Sequence, residues 1–260
     1  MKKIFSKFYL ALILIFFYLP ILYTIIFSFN DSRSLTVFKG FSLQWYERMF
    51  NDRNMMQAIW YTFVIAILAT IISTIVGTIA SIGLSKSRKA LQLAIEQVNN
   101  LSVMNPEIVT AIGLLMLFSS FRVIEKGFLT LLLAHIAFCI PYVMLSVSPK
   151  LRSLDPNLAE AALDLGATPW QALTKVIVPQ ILPGIVSGAL IAFTMSIDDF
   201  VISYFVTGNG VSNISILVYS MSKRINPSIN AVSTLVIIII TVVLILVNIV
   251  PMLRKKKEVA

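Results

Sequence analysis

The chain has 260 residues, of which 58% are hydrophobic and 13% charged, with a formal net charge of +9. A soluble domain carries roughly 25% charged residues, so this composition fits a polytopic membrane protein and sets a soluble enzyme or nucleic-acid binder aside. A single cysteine excludes an internal disulfide.

Crossing a ~30 Å hydrocarbon core takes about 20 mostly apolar residues. Such stretches occur at 8–29, 58–84, 102–121, 128–147, 181–206 and 231–250, which predicts six spans. All must be helices, since an open strand would leave backbone groups unpaired in lipid. The fold class is therefore all-α integral membrane. The expected organisation is an anchor helix and external loop over 1–57, the main body over 58–250, and a basic tail over 251–260.

Lys2, Lys3 and Lys7 precede the first span. Its apolar run is too long for a signal core and lacks a small-residue cleavage site, so it reads as a retained anchor. These lysines share one face with Lys86, Arg88, Lys89, Lys150, Arg152, Lys175 and the basic residues from Arg254 to Lys257. The other face has fewer: Arg33, Lys39, Arg48, Arg53, Arg122, Lys126, Lys223 and Arg224. The richer face, with both termini, is expected to be cytoplasmic. The net charge follows from this asymmetry and from contact with lipid, with no need of nucleic acid. The loop over 30–57 then lies outside. Its Trp45 and Tyr46, with Trp60 after it, are placed at the headgroup level, contact with an external partner being the alternative.

In the second span, Ser73, Gly77 and Ser81 make a small-residue packing face. The third opens on Asn105-Pro106-Glu107, where the helix dipole favours a carboxylate in the first turn; a pathway role is the alternative for Glu107. His135 and Cys139 lie four apart in the fourth span. A metal site normally gathers three or more protein ligands, so these read as a packed pair and no metal is expected. Pro141 is expected to kink that helix.

Between the fourth and fifth spans lies DPNLAEAALDLGATPWQALTKVIVPQILP. Asp155 is suited to cap a first helix, with Pro156 at its first position. Gly166 is suited to end that helix in a left-handed conformation. Thr168, Pro169 and Gln171 spell a capping box that starts a second helix. A hydrophobic protein that builds such a knuckle on its cytoplasmic face is expected to hand it to a soluble partner.

The fifth span carries Asp198 and Asp199. Each costs about 2.5–3.5 kcal/mol near mid-membrane on insertion scales. No lysine or arginine lies deep in any span, so their counter-charge is expected from a substrate cation, a partner subunit or a proton. Gly184, Gly188, Ala192 and Ser196 form a stripe for close helix packing. Asp199 and Ser203 continue it and Asp198 points off it, since helix neighbours point about 100° apart. Asp198 is thus the candidate pathway carboxylate and Asp199 a structural or hydrogen-bonding one, the alternative being that both cap broken helix ends or pair with a basic residue of a partner subunit. Tyr219 and Lys223, four residues apart, follow on a predicted helix face. They suit an organic cation over the ring and a repulsive gate, or simply anchoring at the interface.

The knuckle pattern resembles the EAA loop of ABC-importer permeases. The resemblance rests on Glu160-Ala161-Ala162, then Asp164 and Gly166, then Val176-Ile177-Val178-Pro179 where the family usually has Ile-x-Leu-Pro. It implies a type I ABC importer permease (MetI-like) fold with six transmembrane helices. It also implies that Glu160, Ala161, Ala162, Asp164 and Gly166 dock on, and take motion from, the ATP-hydrolysing subunit. The runs from Met104 to Val109, His135 to Pro141, Ser196 to Val201 and Phe205 to Gly208 narrow the resemblance to polyamine (spermidine/putrescine) permeases of the PotC type. That family implies a PotB-type partner permease, two PotA-type ATPases and a PotD-type extracytoplasmic polyamine-binding protein, in the bacterial cytoplasmic membrane. An importer of iron, thiamine or an opine is the nearest alternative, and a proton-coupled secondary transporter a more distant one. The chain has no phosphate-binding Gly-x4-Gly-Lys-Ser/Thr loop, no His-Glu zinc pair and no nucleophile elbow. It is therefore expected to be no enzyme and to hold no cofactor, ATP being handled by a separate polypeptide.

Overall fold

In a computed structural model of the chain, residues 2–120, 125–208, 210–222 and 226–258 are described. In chain order the helices are α1 (Lys2–Phe27), α2 (Gln44–Asn51), α3 (Arg53–Ser85), α4 (Lys89–Met104), α5 (Glu107–Ser120) and α6 (Phe128–Arg152). The knuckle follows as α7 (Leu158–Asp164), a single turn α8 (Pro169–Gln171) and a π-helix (Ala172–Ile177). Last come α9 (Val178–Asp198), α10 (Val201–Val206), α11 (Ile214–Ser222) and α12 (Ser228–Glu258). Among the described residues, five helical stretches are long and apolar enough to cross a membrane, or six if the bent pair α4–α5 counts as one span.

Two spans differ from the straight helices expected over 102–121 and 181–206. The third is bent by 105° between α4 and α5. Its cause is local: Pro106 pushes Asn105 out of the helical region, to ψ 133°. Phe121, where this span was expected to end, lies outside the described residues, as do Arg122, Lys223 and Arg224. The fifth span is broken at Asp199 and Phe200, between α9 and α10.

The chain forms two compact units, Met1–Ile59 with Ile216–Ala260, and Trp60–Ser215. In the first, the expected loop over 30–57 is itself folded. The Asn30 side chain donates to the carbonyls of Ser34 and Val37 and accepts from the Lys39 amide. Trp45 is buried, and its indole N–H donates to the Asn30 carbonyl at 2.7 Å. Trp45 is thus a core residue of this loop, correcting its placement at the headgroup level. A buried indole needs an acceptor, and the loop supplies one.

In the second unit, α6 and α9 pack closely along their length, and the expected small-residue stripe is why. Gly184, Gly188, Ala192 and Ser196 are all buried on α9. A Cβ at Gly188 would meet the Val143 Cα of α6 at 3.1 Å, and one at Gly184 would meet the Ser146 carbonyl at 3.0 Å. Gly77 of α3 brings that helix as near, since a Cβ there would fall 2.8 Å from Val143. Lipid tails are as apolar as leucine, so close backbone packing of this kind drives association. Gly188→Leu is expected to cost about 1–3 kcal/mol by overpacking, read as a lower unfolding temperature of the detergent-solubilised permease. Gly83→Ala, where nothing lies within 4 Å of the added methyl, is the control and should not lower it.

Candidate functional site: a rigid knuckle and a broken helix

The knuckle is built by local chemistry. At its start the Asp155 carboxylate accepts from the Asn157 amide at 2.9 Å, closing an Asx turn. That turn delays the helix, so α7 begins at Leu158 with Asn157 at its cap, not at Pro156 behind an Asp155 cap. At its end the chain follows the expected course. Gly166 sits at φ +85°. Its amide donates to the Leu163 carbonyl at 2.9 Å, and the Ala167 amide to the Ala162 carbonyl at 3.1 Å, the two bonds of a Schellman ending. Thr168 and Gln171 then exchange side-chain and backbone bonds at 2.9 and 3.3 Å. The second helix is only one α-turn before it widens into the π-helix. Nothing local in the sequence announces this segment; π-turns occur frequently at functional sites.

This construction sorts the side chains. Ala162 is buried beneath α7, while Glu160, Ala161, Asp164 and Gly166 are exposed. Two further residues stand out that the sequence reading passed over: Leu165 is 90% exposed and Trp170 is 71% exposed. Leu165 follows α7 directly and Trp170 lies in α8, so both are displayed by the knuckle. A cleft of about 550 Å³ lies behind the elbow, lined among others by Ile82, Leu151, Leu154, Leu163 and Leu173. At its edge Arg152 pairs with Glu96 of α4 at 2.6 Å.

The second feature is the break in the fifth span. Asp199 leaves the helix with ψ 123°, and its carboxylate reaches forward to cap α10. It accepts from the Ile202 amide at 3.2 Å and from the amide and hydroxyl of Ser203 at 2.7 Å each. His135 of α6 lies between the two sides of the break. Its Nδ1 pairs with the Ser196 hydroxyl at 2.7 Å and its Nε2 with the Ser203 hydroxyl at 2.9 Å. Nε2 is also 3.5 Å from the Asp199 carboxylate. The Asn213 amide closes the network, donating to the Asp199 carbonyl at 3.2 Å and to the Ser203 hydroxyl at 2.7 Å.

His135 and Asp199 are 1% and 6% exposed. Burial on this scale demands full pairing of polar groups, and these atoms have it. Two expectations change as a result. The partner of Asp199 is inside this chain, on another helix, where an external counter-charge was expected. His135 joins this network, and Cys139 packs apart from it, its thiol 3.5 Å from the Ala192 carbonyl; the two are not a simple packed pair. Among the described residues, no group of three His, Cys, Asp or Glu side chains is placed to hold a metal ion.

Asp198, the last residue of α9, is exposed, and no hydrogen bond or ion pair reaches it among the described residues. Glu107 is exposed in the first turn of α5, and Tyr219 is exposed on α11. Lys223 lies outside the described residues, so its pairing with Tyr219 on a helix face is not seen.

The family described as "Binding-protein-dependent transport system inner membrane component" matches residues 73–256. The spermidine/putrescine transport system permease protein PotC of Haemophilus influenzae is 39% identical over 225 residues, covering 86% of this chain and 87% of that protein. The putrescine transport system permease protein PotI of Escherichia coli is 38% identical over 229 residues, covering 85% and 82%. Among solved structures, a bacterial ABC transporter involved in the import of the acidic polysaccharide alginate matches with a TM-score of 0.71. That match spans 98% of this chain and 96% of that one, at 15% identity.

Proposed function

This chain belongs to the binding-protein-dependent transport system inner membrane components, and from that premise we propose that the solute it carries is a polyamine, spermidine or putrescine. It is a multi-pass permease subunit of an ABC importer and not an enzyme. The observation that carries the polyamine reading is Asp198. A carboxylate at the break of a membrane span, without a partner among the described residues and beside a fully paired neighbour, is suited to offset the desolvation of an ammonium group. The names borne by the two curated relatives support the same substrate class.

In this proposal the chain works beside a PotB-type permease in the bacterial cytoplasmic membrane. A PotD-type protein delivers the polyamine from outside. Two PotA-type ATPases bind and hydrolyse ATP, since this chain has no phosphate-binding loop. Both termini and the knuckle face the cytoplasm, as the basic residues favour. Closure of the ATPases moves α7 and α8, and the motion passes through the π-helix into α9. Glu160, Ala161, Asp164 and Gly166 lie on the docking face, with Ala162 holding it to the body. Leu165 and Trp170 are its apolar anchors. The test is uptake of labelled spermidine and putrescine by the reconstituted complex, beside thiamine, ferric iron and an opine. ATP-dependent uptake of the polyamines alone is expected. Uptake of another solute, with neither polyamine moved, sinks the substrate reading and leaves the importer class standing.

A further inference from the structure

We propose that His135 is a positioning residue for transport: it pins the break between α9 and α10 and so fixes the direction in which Asp198 presents its carboxylate. The proposal rests on the pathway role given to Asp198 above. One imidazole ring holds both sides of the break, Ser196 on α9 through Nδ1 and Ser203 on α10 through Nε2. The Ser203 hydroxyl is in turn bonded to the carboxylate of Asp199, the neighbour of Asp198 in the chain. Without such a clamp, the last turn of α9 is free to run on into α10. Continuing the helix through Asp199 would turn the end of the span by about 100° for each residue added. A residue that only fills space would need neither polar nitrogen, yet both are used, on opposite sides of the break.

The two nitrogens can be separated. Glutamine places an amide near the position of Nε2, and asparagine near that of Nδ1. Of the two bonds, the one to Ser203 is tied to the Asp199 carboxylate at the break itself, so His135→Gln, which gives up only the bond to Ser196, should keep most of the clamp. His135→Asn, which reaches Ser196 alone, should not, and nor should His135→Leu. The experiment uses the assembled complex carrying Cys139→Ser and Asp198→Cys, and measures the rate at which a cationic methanethiosulfonate modifies position 198. Relative to His135, the rate is expected to change by about tenfold or more with Asn and Leu and by less than about twofold with Gln. With Asp198 and Cys139 restored, His135→Asn should raise the uptake KM while stimulated ATPase activity is kept, and His135→Gln should restore the KM.

Equal labelling rates in all backgrounds would overturn the proposal, as would a Gln variant altered as much as Asn. If the Leu variant fails to assemble, the contrast between Asn and Gln still decides. Labelling needs no transported solute. A wild-type complex that moves no polyamine would therefore count against the function proposed above, while the labelling result judges His135 separately.

Discussion

Leu165→Glu is expected to strip the ATPase subunits from the complex without unfolding the permease. Leu165 follows α7 directly and precedes the left-handed Gly166, so its place at the tip of the elbow is fixed by backbone bonds. It is 90% exposed, so the chain by itself gains little from the side chain and loses little without it. In the assembled importer the same side chain would be buried. Fully burying a leucine contributes about 1.5–3 kcal/mol, and each 1.4 kcal/mol is about tenfold in affinity. Leu165→Ala should therefore weaken docking by about ten- to a hundredfold. Glutamate adds the desolvation of a charge and should weaken it further. Co-purification of the ATPase with tagged permease reads the loss, and the unfolding temperature of the permease alone should stay unchanged. Gly166→Val tests the elbow itself: a left-handed φ costs an L-residue about 1–2 kcal/mol, so docking should weaken although the anchor is intact. A Leu165→Glu permease that still retains its ATPases would show that the elbow is not the docking element.

What was legible in the sequence was whatever neighbours decide among themselves. The Schellman ending at Gly166 and the box at Thr168 and Gln171 require residues no more than five positions apart. The stripe from Gly184 to Ser196 shows as a four-residue period because backbone approach needs small side chains wherever two helices touch. The start of the knuckle was misplaced by two residues for a local reason too, since aspartate offers the backbone either a cap or an Asx turn. Asp155 makes the turn.

The break at Asp199 stood only as an alternative reading, for a different reason. The apolar run over 181–206 continues across it, so hydropathy shows one span. What opens the helix is a carboxylate finding amides ahead of it and a histidine from α6. The amides, three and four residues on, are a cap that the sequence offers only as an alternative; the histidine is not implied by the sequence around Asp199. Trp45 is similar: its amphipathic ring fits an interface or a core equally well, and the acceptor at Asn30 decides it. Where the partner of a buried polar group lies on another element, tertiary structure sets it, and local pattern cannot name it.

Asp198→Asn separates the two neighbouring carboxylates most sharply, and a large fall in polyamine uptake is expected from it. Asparagine keeps the volume and loses the charge. At Asp198 no bond is broken, because none is made among the described residues, so assembly and basal ATPase activity should survive. What is lost is the attraction to a passing ammonium group. Hydrogen bonds to charged groups contribute about 1.5–3 kcal/mol, which corresponds to about a ten- to hundredfold fall in uptake efficiency. A strong site would hinder release, so the binding given up should lie in this modest range. Asp199→Asn should behave in the opposite way. It replaces a carboxylate that accepts from Ile202 and Ser203 and faces His135, so it should lower the yield of assembled permease before transport can be measured. Uptake, ATPase activity and assembled yield, taken together on both variants, check this assignment. If Asp198→Asn transports normally while Asp199→Asn assembles well and transports poorly, the roles are reversed and the buried network itself is the cation path.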